Sequence, residues 1–179
     1  MITRLTKRLR SFRKEEDGAI IALEFVIMAP LIFSFFFFGM EMGIYSVRQM
    51  LLDRGLEVTT REVRLNTGVQ IDHDDLKQAI CYNTGGLPDC NEVLRLEMLP
   101  MNPRDFAGLP SAADCSDISQ PVTPVRGWTL GKQHELMILR ACYKFDPMFP
   151  MTGLGYTFTK DGSGKVAMTT VSAFVQEPN

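Results

Sequence analysis

Four cysteines, two histidines and one acid inside an apolar run are the residues of this 179-residue chain that could do chemistry. Cys81, Cys90, Cys115 and Cys142 could ligate a metal as thiolates or pair as disulfides. None are spaced C-x2-C, so a structural zinc site is not expected. Four cysteines permit three pairings. The expected one joins Cys81 to Cys90, closing "CYNTGGLPDC", and Cys115 to Cys142, pinning a proline-rich stretch to a strand. Each bridge would contribute roughly 2–4 kcal/mol. His73 stands in "DHDD", which could invite a cation but reads as a solvated helix start. His134 precedes Glu135, with no nucleophile placed beside it. "GSGK" at Gly162–Lys165 lacks P-loop spacing and precedes a strand, so it reads as a turn. Neither G-x-S-x-G, H-E-x-x-H nor a dinucleotide fingerprint occurs. No catalytic residue, metal or cofactor is assigned, and an enzyme is not expected.

The acid is Glu24. It lies in "AIIALEFVIMAPLIFSFFFFGMEMGIY", where Glu24 and Glu41 enclose the uncharged residues Phe25 to Met40. As a helix, residues 19–45 would extend about 40 Å, enough to cross a hydrocarbon core of roughly 30 Å. "PLIFSFFFFGM" is apolar on every face, and no second such segment exists to surround it as a core helix. A cleaved secretory signal fits the basic start, but the run is too long and no A-x-A-like site follows. The preferred reading is a retained single-span anchor. An acidic side chain at the centre of such a helix costs about 2.5–3.5 kcal/mol, and less near its start. Glu24 either reaches up to the interface or pairs with a cation from another chain. Gly39 and Gly43 form G-x-x-x-G, which permits close helix approach. Pro30 removes a hydrogen bond to the Val26 carbonyl and should loosen the helix.

Charge is distributed to match. Of 19 basic and 21 acidic residues, six basic ones stand in residues 1–14, leaving a net charge of −8 in the rest. A basic head on an acidic body suits nucleic acid or a membrane surface. The adjoining apolar run favours membrane, and nucleic acid is not expected. The positive-inside rule puts residues 1–18 in the cytoplasm and the C-terminal part outside.

These residues need elements to position them. The helix is expected to continue past the membrane to about Thr67, with Val47, Leu51, Val58, Val63 and Leu65 at helical spacing. Gly55 weakens its middle, and "NTG" stops it. A short helix is expected over His73–Tyr82, with Asp72 as N-cap and a Gly-Gly stop. "NEVLRLEML", "KQHELMILRACYKF" and "KVAMTTVSAFVQ" read as strands. Residues 100–131 read as a long proline-rich loop, and Asp146–Gly164 as turn-rich. Trp128 and the methionines read as core or interface. The expected fold is α+β: a long N-terminal helix, with a small antiparallel sheet and a short helix packed on its exposed half.

The basic leader ending in "EEDG", followed by "AIIALEF" and "VIMAPLIF", resembles the TadE-like minor pseudopilins of tight-adherence (Flp) pilus systems, relatives of type IV pilins. The resemblance covers residues 13–45 well and the rest thinly. It implies a leader peptidase cutting after a small residue, here Gly18, with Glu24 and Phe25 as the Glu-aromatic pair and Ala29-Pro30 as the small-Pro step. Cutting after Gly18 makes Glu24 the sixth mature residue, whereas the family has the fifth. Cutting after Ala19 restores that spacing, and an uncut chain is the third alternative. The new amine could pair with Glu24 of a neighbouring subunit. The implied organisation is a leader over 1–18, a transmembrane helix over 19–45 and an extracytoplasmic pilin-like domain over 46–179. The implied partners are the membrane, sibling minor pseudopilins, the leader peptidase and the pilus assembly platform, with the major pilin as a further candidate. The implied location is the bacterial inner membrane, with incorporation in the pilus left open. The competing reading is a single-span anchored binding domain unrelated to pili.

Overall fold

The computed structural model describes residues 17–66, 68–69, 71–104, 113–115, 127–151 and 153–178. The leader and most of the proline-rich loop lie outside these. The architecture is α+β. Helix α1 runs Asp17–Leu65, 49 residues or roughly 73 Å, and continues through Pro30. It ends where the Asn66 amide and side chain return to the Glu62 carbonyl and Gly68 takes a left-handed φ of 88°. The expected terminus at Thr67 lies outside the described residues.

Helix α2, His73–Thr84, runs two residues beyond the expected end, to a left-handed cap at Gly85 (φ 72°). Asp72 takes the extended N-cap conformation, but its side chain makes no capping bond; Asp74 and Asp75 occupy the first turn. One short helix, α3 (Cys90–Val93), replaces the start of the first expected strand. It forms because Asp89 turns the chain at φ 52° and the Leu94 amide returns to the Cys90 carbonyl. Strand β1 then covers Arg95–Pro100, β2 covers Leu136–Phe145, helix α4 covers Gly153–Thr157 and β3 covers Val166–Val175. Helix α4 stands inside the stretch expected to be turn-rich.

The three strands form an antiparallel sheet in the order β1-β2-β3. Register fixes which side chains share a face. Leu96 pairs with Ala141 and Met98 with Leu139; Tyr143 pairs with Met168 and Met137 with Phe174. These face α1 and α2 and make the core with Leu52, Leu56, Val63, Leu76 and Ile80. The opposite face carries Glu97, Arg140, Cys142 and Lys144. All four are buried, so β2 lacks the alternation of a half-exposed strand. Arg140 Nε donates to Glu97 Oε2 at 2.8 Å across neighbouring strands. Paired this way, the two charges tolerate burial.

The side of α1 that meets the domain keeps Val63 and the half-buried Leu51 of the expected positions but not the other three. Leu52, Leu56, Thr59 and Val63 are buried, whereas Val47, Val58 and Leu65 are exposed. Gly55 accounts for the difference. A Cβ there would lie 2.6 Å from Thr84 Cγ2 and 2.9 Å from the Ile80 carbonyl, so α2 crosses α1 at the position that lacks a side chain. The glycine read as a weak point is the contact point between the helices.

Candidate functional site

Among the described residues, α1 is the one helix long and apolar enough to cross a membrane, and none of its most apolar window is buried by the domain. A single-pass membrane anchor is consistent with that. The structure pairs Cys81 with Cys90 and Cys115 with Cys142, which fits an oxidising compartment. Cys142 projects from the sheet face opposite the helices, so the second bridge ties the segment around Cys115 there.

The residues singled out along α1 stay on one rod and are not gathered by the fold. Gly18 lies in the first turn with nothing within 4 Å of a would-be Cβ, and Ala19 continues the helix. Glu24 and Phe25 are exposed, and among the described residues nothing hydrogen-bonds Glu24. Pro30 is exposed. Gly39 and Gly43 also have nothing within 4 Å.

Sequence reasoning missed Glu41, which figured only as the border of the apolar run. It is 1% exposed. Its Oε1 accepts the Met148 amide at 3.0 Å and its Oε2 the Phe149 amide at 2.9 Å. No cation among the described residues reaches it; two backbone donors satisfy the carboxylate instead. The Phe149 ring packs 4.8 Å from Phe37, one turn back. A legible signal existed: Pro147 and Pro150 lack amides, so "DPMFP" offers donors mainly at Met148 and Phe149. Gly39 and Gly43 each stand two residues from Glu41, about 200° round the helix. They therefore lie on the side away from the domain.

A second polar centre steadies the turn into β3. Asp161 Oδ1 accepts the Ser163 and Lys165 amides at 2.9 Å each, and its Oδ2 accepts Lys144 Nζ at 2.5 Å. Burial alone would raise the Asp161 carboxyl. The bonds from Lys144, Ser163 and Lys165, with the Lys144 charge, outweigh it and hold the group well below the usual carboxylate range. "GSGK" is thus part of an aspartate-organised turn, with Gly164 at φ 82°.

The histidines stand apart. His73 Nδ1 lies 3.0 Å from Asp74 Oδ1, and its ring meets Trp128 edge-on at 5.0 Å. Trp128 packs against the core, and its neighbours bond to Met98, extending the outer edge of β1. His134 is exposed in the turn before β2, at φ 63°. An open recess beside α2 and α3 is lined by Asp74, Lys77, Tyr82, Asp89 and Glu92. Lys77 there is held below its ordinary value by burial and by the Arg95 charge, offset in part by Asp74. Among the described residues no group of three or more His, Cys, Asp or Glu could hold a metal.

Fold and site together define an α+β domain, cross-linked by disulfides, mounted on one side of a membrane-length helix. No protein-family model matches the chain, and no curated protein or solved structure matches it.

Proposed function

We propose that this chain is a minor pseudopilin-like assembly component of a tight-adherence pilus. In this reading it sits in the bacterial inner membrane, with its N-terminus cytoplasmic and its domain periplasmic. The observation that carries the proposal is the exposed side of α1: Glu24, Phe25, Gly39 and Gly43 are all open, while the domain packs against the side that holds Phe37 and Glu41. A carboxylate in an apolar helix with no partner among the described residues is stabilised by a cation brought by another chain. An amine released by leader cleavage at Gly18 or Ala19, on a sibling subunit, is such a cation.

The test is the N-terminal mass of the protein from membranes of cells with and without the leader peptidase. A chain beginning at Ala19 or Ile20, only when the peptidase is present, is the expected outcome. Met1 retained in both strains would overturn processing and favour a simple anchored domain.

A further inference from the structure

We propose that residues 146–151 and 153–157 form a second membrane contact: a largely apolar loop resting in the outer headgroup layer beside α1, with lipid as its partner. The height of the loop follows from the helix. A hydrocarbon core of roughly 30 Å takes about 20 helical residues. Counted from Ile20, it ends near Gly39. Glu41 therefore stands just past the boundary, and it holds the loop by the amides of Met148 and Phe149. The Phe149 ring packs at a tilt against Phe37, and Gly153 lies against Phe38, where a Cβ would come within 3.7 Å of its backbone. Three contacts thus fix the loop at the level where the bilayer gives way to water.

Apart from Thr157 and Asp146, whose exposed carboxylate pairs with Lys165 at 2.7 Å, what the loop presents outward is mainly apolar. Met148 is 51% exposed, Tyr156 72% and Met151 84%. These side chains continue the exposed phenylalanines of α1, so the patch adjoins the surface already assigned to lipid. A tyrosine with its hydroxyl toward water suits that depth. Cations stand at the base of the loop: Arg48, about 10 Å further out along α1, donates to the Asp146 carbonyl, and Lys160 donates to the Pro150 carbonyl. Both suit contact with headgroup phosphates. The same loop would set the height and tilt of the domain above the bilayer, since it and the helix grip the membrane side by side. This rests on α1 spanning the membrane and not on the pilus reading.

The full chain, reconstituted in phosphatidylethanolamine–phosphatidylglycerol vesicles, tests it with tryptophan reporters, the parent protein giving the Trp128 baseline. Met151→Trp and Tyr156→Trp report on the loop. Phe38→Trp reports on the helix, and Tyr82→Trp on the end of α2 that lies beside Gly55, about 20 Å further out along α1 than Glu41. Disulfide mapping confirms that each variant keeps the native fold. Lipids brominated on the upper acyl chain should quench the added fluorescence of both loop reporters at least twofold, as they quench Phe38→Trp, and leave Tyr82→Trp unchanged. Loop reporters that behave like Tyr82→Trp overturn the proposal, as do loop reporters shielded from both lipid and aqueous quenchers, which would indicate a protein partner. An unquenched Phe38→Trp removes the premise that α1 spans, with no bearing on leader processing.

Discussion

At the scale of single residues, the two carboxylates that border the apolar run have opposite fates. Glu24 is exposed and unmatched within the described chain, whereas Glu41, 17 residues on, is buried and fully engaged. Both were visible as charges interrupting an apolar run, but only long-range contacts separate them. Glu41 takes its donors from more than 100 residues away, which local spacing cannot reveal. Losing the carboxylate strands two amides, and a buried unmade hydrogen bond costs about 1–3 kcal/mol. In Glu41→Ala, hydrogen exchange at Met148 and Phe149 should accelerate about tenfold or more, at about 1.4 kcal/mol per factor of ten. The β2 amides should be unaffected. Glu41→Gln keeps one acceptor and should show a smaller effect. Unchanged protection at both amides in Glu41→Ala would remove Glu41 as the anchor of the loop.

Elements were legible where period and punctuation agree, and illegible where packing decides. The β-branched residues of "KVAMTTVSAFVQ" and the Gly-Gly stop after "ICYNT" mark β3 and the end of α2 closely. The exposed stretch of α1 offers apolar residues on several faces, and the choice among them falls to Gly55, because only there can α2 come near. Helix α3 was hidden because "NEVLRL" alternates like a strand, yet its first residues follow a left-handed Asp89. The turn into β3 shows an element held by one side chain. Asp161 is depressed from 3.8 in the folded state, so the unfolded chain binds more protons below about pH 4. The stabilisation is therefore fully present above that range and lost as pH falls through it. Asp161→Asn strands the buried Lys144 and should cost about 3 kcal/mol near pH 7. Thermal unfolding of both proteins in one detergent should show the gap narrowing as pH falls from 5 toward 3. A gap constant with pH would mean that the carboxylate charge is not what stabilises the turn.

At the scale of the whole molecule, the sequence makes the division into rod and body plain, because its one long apolar run is consistent with a membrane anchor and no second such run exists to bury it. The four cysteines of the body and its mix of strand and helix patterns also mark it as cross-linked and α+β. What it leaves hidden is the side on which the body docks, since Gly39, Gly43 and Glu41 lie within five residues of one another and only their angles differ. That asymmetry makes the two halves separable by mutation. No described contact links Glu24 to the domain, and its removal takes a charge out of the apolar stretch. Glu24→Ala should therefore insert as well as the parent, form both disulfides and keep its unfolding temperature. If the carboxylate meets the amine of a sibling subunit, recovery of siblings with the tagged variant from membranes should fall about tenfold, equivalent to about 1.4 kcal/mol. Pilus number should fall with it, and Glu24→Asp should restore part of both, since the charge remains and only its reach is shortened. Parent-level sibling recovery and pilus number in Glu24→Ala would show that the acid reaches only to the headgroups and has no part in assembly.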